Sequence, residues 1–143
     1  MNQQSILVVD DNQADVEILK EAVNEVSPEL TFLAVYNGEE CLSVLRHIGQ
    51  WADTAKPDLI LLDLNMPGSN GRAVLSKIKS DPQLCHIPVI ILSTSAAEKD
   101  VFDTHRLYAN SYVAKPLGYE ELKTLVRQLL HYWLQVAQIP ATC

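Results

Sequence analysis

The stretch DLILLDLNMPGSNG, residues 58–71, decides the fold of this chain. Four apolar residues, Leu59–Leu62, form a short continuous run that ends on the acid Asp63. Such runs are typical of parallel strands that are covered on both faces, whereas a carboxylate is rarely buried without a partner. We therefore expect a buried strand with an acid at its carboxyl end. Residues 66–68, Met-Pro-Gly, should then fix the following turn, because proline restricts its own backbone and that of the preceding residue.

Further apolar runs alternate with helical patterns along the chain. The predicted strands are residues 6–9, 32–35, 59–62, 89–92 and 112–114. The helical patterns repeat apolar residues every three or four positions, as Val16, Leu19 and Val23 do in the first. The predicted helices are about residues 16–26, 38–48, 71–79, 96–108 and 119–137, and residues 139–143 should be a non-helical tail. Five alternations of strand and helix predict a doubly wound α/β fold with a parallel sheet.

Length, charge and cysteine content limit the possible functions. The 143 residues fit one domain, and 48% hydrophobic residues can supply its core. A formal net charge of -7 argues against a nucleic-acid surface and against binding to an anionic membrane. The sequence shows neither a long apolar span nor the basic start of a signal peptide, so we expect a cytoplasmic protein. Cys41, Cys85 and Cys143 are scattered, and we expect them to be free thiols.

Polar residues collect where the predicted strands end. The first strand runs into Asp10 and Asp11, and the third runs into Asp63. The fourth strand ends at Ser93, and Lys115 follows the fifth. The carboxyl ends of parallel strands meet at one edge of an open sheet, which is where such proteins bind ligands. Each residue alone could cap a helix or bind a turn, but their shared position favours a functional site.

This cluster predicts a divalent metal beside a nucleophile. Carboxylates held together repel one another unless a cation lies among them, and Mg²⁺ needs only one or two carboxylate ligands. The candidate ligands are Asp10, Asp11, Asp63 and the backbone carbonyl of Asn65. Asp11 is expected to bind directly and Asp10 through water. Asp63 could attack phosphorus and form an aspartyl phosphate, while Mg²⁺ and Lys115 neutralise the phosphoryl oxygens.

The motifs resemble those of response-regulator receiver domains in two-component signalling. Those domains carry an acidic pair after the first strand and a D-x-x-M-P-x-x-x-G motif, which here occupies residues 63–71. They also carry a hydroxyl at the end of the fourth strand and a Lys-Pro pair after the fifth, here residues 115–116. The resemblance covers about residues 5–137. It implies a flavodoxin-like strand order 2-1-3-4-5 and a single receiver domain over residues 1–143.

The resemblance also assigns roles to individual residues. It implies that Asp63 accepts a phosphoryl group from a histidine kinase in a Mg²⁺-dependent reaction. It implies that Ser93 and the aromatic Tyr112 form the switch that responds to phosphorylation. The chain departs from the family pattern at Thr94, where a small residue is usual.

A narrower resemblance concerns the partner kinase. Residues 11–15, the long loop around Trp51, residues 92–95 and residues 132–134 look like those of small regulators that partner phytochrome-type histidine kinases. This similarity implies a phytochrome-like kinase as the phosphoryl donor.

Few residues follow the fifth helical pattern, so we expect no output domain and a signal carried by a changed surface. The apolar arc of the fifth helix is wider than a surface helix usually needs. Trp133 belongs to the face expected to meet the sheet, Tyr132 lies on one flank, and Leu130 and Leu134 lie on the other; the candidate dimer residues are Leu130, Tyr132, Trp133 and Leu134. Either the tail covers this arc, or it is a homodimer interface on the face of the fourth helix, fifth strand and fifth helix.

Two other functions use the same residues. A phosphatase of the haloacid-dehalogenase type also forms an aspartyl phosphate, but its nucleophile follows the first strand and has an aspartate two residues later, where Asn65 follows Asp63 here. A receiver-like scaffold that is never phosphorylated would not need the complete set of acids, hydroxyl and lysine. We therefore expect a signalling domain and not an enzyme.

Overall fold

The computed structural model describes residues 3–66, 71–94 and 97–143, which form a five-stranded parallel sheet flanked by helices. The strands are β1 Ser5–Val9, β2 Thr31–Val35, β3 Leu59–Leu62, β4 Val89–Ser93 and β5 Ser111–Ala114. Their order across the sheet is β2-β1-β3-β4-β5, and every neighbouring pair is parallel. The predicted doubly wound fold and its strand order are confirmed.

The helices cover both faces of the sheet. They are α1 Gln13–Val26, α2 Gly38–Leu45, α3 Gly71–Ser80, α4 Glu98–Arg106 and α5 Tyr119–His131. Side chains alternate between the faces of a strand. In β1, Ile6 packs in the core cluster under α1 and α5, and Leu7 packs in the cluster under α2 and α3. Every residue of β1, β3 and β4 is buried, which explains why these strands are apolar apart from Ser5 and Ser93 at their ends.

The strand register aligns the carboxyl ends of the central strands. Val9 at the end of β1 pairs with Leu62 at the end of β3, and Leu62 pairs with Ile91 in β4. Ser93 at the end of β4 pairs with Ala114 at the end of β5. The residues that follow β1, β3 and β5 therefore emerge together at one edge of the sheet, beside Ser93.

The predicted ends of α2 and α5 differ most from the structure. α2 ends at Leu45, three residues before the predicted end, because His47 takes a left-handed backbone conformation with φ of 56°. α5 ends at His131, and a π-helical turn, Tyr132–Val136, continues it almost to the predicted end. α4 begins at Glu98, whereas its predicted start at residue 96 lies outside the described residues.

The prediction of three free thiols is wrong for two of them. A disulfide joins Cys85, in the loop between α3 and β4, to Cys143 in the tail, and their Cα atoms are 5.6 Å apart. Cys41 is free and buried, and burial raises the pKa of its thiol to about 12. The pairing links residues 58 positions apart, so cysteine spacing alone could not reveal it. The tail is non-helical, as predicted, but it folds back toward the α3–β4 loop.

Candidate functional site

Asp63 lies at the carboxyl end of β3 and is buried, with 9% of its surface exposed. Its backbone N–H donates to the carbonyl of Val9 at 2.9 Å, which fixes the acid beside β1. Its Oδ1 accepts a hydrogen bond from the backbone N–H of Asn65 at 3.1 Å. Burial raises the pKa of Asp63, and the nearby Asp10 raises it further, although Asn65 and Lys115 act in the opposite direction. The carboxylate is thus held in place beside a second acid.

Steric contacts explain why the last residue of the motif, Gly71, is a glycine. A Cβ atom on Gly71 would lie 2.9 Å from the Cα of Leu64 and 3.0 Å from the carbonyl oxygen of Asp63. Only glycine lets α3 begin this close to the backbone of the acid. The predicted Pro67–Gly68 part of the preceding turn lies outside the described residues.

Asp10 and Asp11 follow β1, as predicted, and neither caps α1. Asn12 is the N-cap, because its side chain accepts from the backbone N–H of Asp15 at 3.1 Å. Asp10 is 3% exposed, and its Oδ1 accepts from the backbone N–H of Asn12 at 3.0 Å. Asp11 is half-buried. The structure therefore leaves the carboxylates of both acids for the site and gives the capping role to Asn12.

The three acids could hold one metal ion. One carboxylate oxygen each from Asp10, Asp11 and Asp63 lies within 4.8 Å of the others. Hard oxygen ligands at this spacing suit a divalent cation such as Mg²⁺. Two of the three carboxylates are buried, where uncompensated negative charge is costly, so the donor set fits a cation. The backbone carbonyl of Asn65 remains a predicted ligand.

Lys115 provides the positive charge of the site. Its Nζ is 2.8 Å from Asp10, 3.4 Å from Asp15 and 3.8 Å from Asp63, and its own backbone N–H donates to the carbonyl of Ser93 at 2.8 Å. Burial alone would lower the pKa of Lys115, but the three carboxylates outweigh it and raise the pKa. Asp15 was missing from the predicted site; its place in the first turn of α1 was the available signal.

Ser93 and Tyr112 occupy two neighbouring strands. Ser93 is fully buried, and its Oγ accepts a hydrogen bond from the side-chain amide of Asn65 at 3.1 Å. Tyr112 pairs with Ile91 across β4 and β5 and is half-buried against the core cluster under α2 and α3. Thr94, the residue that departs from the family pattern, is exposed. The structure brings Ser93 to the site, while the switching roles of Ser93 and Tyr112 remain predictions.

An apolar cleft, which the sequence did not suggest, adjoins Lys115. It has a volume of about 220 Å³ and lies between α1 and the β5–α5 connection. Ile18 and Leu117 line it, and they are 45% and 104% exposed. We call the cleft and these two side chains the α1 cleft. The signals for it were an isoleucine on the polar side of α1 and a leucine next to the Lys-Pro pair.

The predicted dimer residues do not share one environment. Tyr132 is half exposed at 50%, and Trp133 and Leu134 are half-buried against the core. Leu130 is 6% exposed and belongs to the core cluster under α1 and α5, so its assignment to an interface is wrong. The physical reason is that α5 packs Leu130 into this cluster together with Leu129.

The sheet order, the acid cluster and the buried lysine define a receiver fold with an acidic pocket at its carboxyl edge. The model of the response regulator receiver domain matches residues 6–127, so the chain belongs to the response regulator receiver family. The response regulator Rcp1 of Synechocystis is 34% identical over 136 residues, which cover 95% of this chain and 92% of that protein.

Two solved structures show the same relationship. The phosphorylated cyanobacterial phytochrome response regulator RcpA superposes with a TM-score of 0.91 at 40% identity, covering 97% of this chain and 99% of that one. The Mn²⁺-bound form of Rcp1 superposes with a TM-score of 0.86 at 33% identity, covering 96% and 99%. The chain is thus a response regulator related to the phytochrome response regulators. Among its described residues, no helix has the length and apolar character of a membrane span.

Proposed function

We propose that this protein accepts a phosphoryl group from a histidine kinase on Asp63 in a Mg²⁺-dependent reaction and signals through a changed surface. The observation that carries the proposal is the position of Asp63, buried at the tip of β3 with Lys115 and a second acid beside it. Burying a carboxylate beside other acids is unfavourable. A cation and a phosphoryl group that bind there give this placement a function.

The chain's own residues supply most of the chemistry. An Asp63 oxygen attacks phosphorus, a new P–O bond forms, and the bond from phosphorus to the donor's imidazole nitrogen breaks. Lys115 lies close enough to place its ammonium charge on the phosphoryl oxygens. The metal would be held by Asp10, Asp11, Asp63 and the carbonyl of Asn65, and when bound it neutralises charge on the transferring group. The Mn²⁺-bound form of Rcp1 supports a divalent ion in such a domain.

The α1 cleft is the best candidate for the kinase contact. It lies beside Lys115 and therefore within reach of Asp63. Its apolar side chains, Ile18 and Leu117, are exposed, which suits an amphipathic helix of a partner. The relatedness to RcpA, a phytochrome response regulator, supports a phytochrome-like kinase in this role.

The output is a local rearrangement read by another surface. A phosphoryl group on Asp63 offers strong acceptor oxygens, and Ser93 can donate to it in place of its present contact with Asn65. Movement at Ser93 would let Tyr112 turn inward and shift α4. Because Val101 and Phe102 on α4 are exposed, the homodimer we propose would use the α4–β5–α5 face.

Composition supports the remaining parts of the proposal. A net charge of -7 disfavours nucleic acid and anionic membranes as partners. We infer a cytoplasmic signalling domain that does not turn over a substrate, because phosphorylation and dephosphorylation of its own Asp63 are the whole chemistry assigned to it.

Labelling of the purified protein by acetyl phosphate tests this function. A receiver becomes labelled only with Mg²⁺ and keeps the label, a phosphatase releases phosphate continuously, and a scaffold does neither. Asp58→Asn is the matched control for Asp63→Asn, because Asp58 precedes the same strand at its opposite end and accepts from the backbone of Ser5 at 2.9 Å. Continuous release of phosphate by wild type would contradict the proposal. So would a wild type and an Asp58→Asn variant that both fail to become labelled.

A further inference from the structure

We propose that the Cys85–Cys143 disulfide is a redox latch that closes the C-terminal tail over a cleft at the amino ends of the strands. The tail carries Cys143, and the α3–β4 loop carries Cys85, so the bond ties the tail directly to the body of the domain. Reduction would release the tail, because the other side-chain contacts of Cys143 are long ones, 3.7 Å to the carbonyl of Asp81 and 3.8 Å to the ring of His86.

The tail covers a cleft that lies behind it. It has a volume of about 380 Å³ and combines polar and apolar walls. The tail contributes Ile139, Pro140 and Ala141 to one wall. Trp133 and Leu134, from the π-helical turn that follows α5, contribute to another. Release of the tail would therefore open the cleft and expose apolar surface of the turn.

The surroundings of Cys85 favour thiol–disulfide exchange. Lys79 Nζ donates to the carbonyls of Cys85 and Ile87 at 3.1 and 2.8 Å, and Lys56 Nζ donates to the carbonyl of Gln83 at 3.1 Å. Two ammonium groups thus lie on the loop that carries the cysteine. Nearby positive charge stabilises a thiolate, which is the reactive form of cysteine. The buried Cys41 has no such advantage, since its pKa is raised to about 12.

The exchange step balances with a low-molecular-weight disulfide as the oxidant. The thiolate of the exposed Cys143 attacks a low-molecular-weight disulfide such as oxidised glutathione, forming a mixed disulfide and releasing one thiol. The thiolate of Cys85 then attacks the Cys143 sulfur, and the second thiol leaves. The two electrons lost by the cysteines reduce the external disulfide to two thiols. A dithiol reductant reverses the sequence.

In the reducing cytoplasm proposed above for this protein, a disulfide is usually transient and serves redox sensing. This favours a switch over a permanent staple. The latch itself does not depend on the proposed phosphotransfer. Its effect on association rests on the proposed homodimer, because Trp133 and Leu134 are among the residues predicted for that interface.

Thiol counting tests the latch on the full chain. After treatment with oxidised glutathione and then denaturation, wild type should show one reactive thiol, from Cys41, and after dithiothreitol it should show all three. Cys41→Ala should lower both counts by one. Three thiols in the glutathione-treated wild type would overturn the proposal.

Acrylamide quenching of Trp133 tests the release of the tail. Trp51→Phe leaves Trp133 as the sole tryptophan, because the chain contains two. Reduced protein should be quenched more strongly than oxidised protein, and Cys143→Ser should match the reduced protein under both treatments. Equal quenching in the two states would overturn the release of the tail.

Sedimentation equilibrium of the oxidised and reduced protein tests the effect on association. Stronger association after reduction is the expected result. Identical association, with the thiol counts as predicted, would overturn the link to the homodimer and leave both the latch and phosphotransfer to be judged by their own tests.

Discussion

Replacing Lys115 by methionine should destabilise the domain markedly when no divalent cation is present. Lys115 Nζ is 2.8 Å from Asp10, and the two side chains are only 13% and 5% exposed. Coulomb's law with an effective dielectric constant of about 20 gives an attraction of about 6 kcal/mol at this separation. Desolvation offsets part of it, and removing one member of a buried pair usually costs about 3–5 kcal/mol. We expect Lys115→Met to lose about 3 kcal/mol of unfolding free energy.

Lys99→Met is the matched control for this prediction. Its ion pair with Asp103 has the same separation, 2.8 Å, but Lys99 is 81% exposed. Exposed pairs contribute about 0.2–1 kcal/mol, so this variant should be nearly neutral. Urea denaturation in EDTA at neutral pH measures both variants. Equal losses in the two variants would refute the view that Lys115 compensates buried negative charge.

Repeating the denaturation with Mg²⁺ gives a second comparison of the same proteins. Without the lysine, Asp10 and Asp63 lack their cation, so an added divalent ion should stabilise Lys115→Met more than it stabilises wild type. An identical gain in both proteins would show that the ion and the lysine do not share these carboxylates.

Three further variants test other contacts. Lys79→Met should lose about 2 kcal/mol of unfolding free energy, because it leaves the carbonyls of Cys85 and Ile87 without their charged donor. Lys77 is exposed, so Lys77→Met should leave the unfolding free energy unchanged. Chemical denaturation compares the two variants. Ser93→Ala should still bind beryllofluoride at Asp63 but lose the accompanying change in aromatic NMR signals, and a wild-type response would remove Ser93 from the switch. Phe102→Glu should weaken the homodimer in sedimentation equilibrium, since it places a charge on the exposed face of α4; unchanged association would exclude that face.

The sheet and the acid cluster could be predicted because their signals are local. Each central strand contains an uninterrupted apolar run, and Asp63 directly follows one of them. Strand order then brings Asp10 and Ser93 to the same edge without any knowledge of side-chain contacts. The local sequence pattern was sufficient to predict a residue's position wherever the backbone of the sheet determines its neighbours in space.

Features that depend on packing between distant segments escaped prediction. The disulfide joins residues 58 positions apart, through a tail whose path follows from packing and not from its composition. Leu130 looked like part of a broad surface arc, but the packing of α5 buries it in the core. Ile18 and Leu117 form one cleft only because α1 lies beside the β5–α5 connection.

Site mapping of the phosphorylated residue tests phosphotransfer to Asp63 most directly. The protein is incubated with acetyl phosphate and Mg²⁺, the acyl phosphate is trapped by borohydride, and the modified peptide is sequenced by mass spectrometry. We predict a single modified residue, Asp63, with no labelling in Asp63→Asn and full labelling in Asp58→Asn. Labelling of Asp10 or Asp11 in wild type, or undiminished labelling of Asp63→Asn, would contradict the assignment of Asp63 as the acceptor.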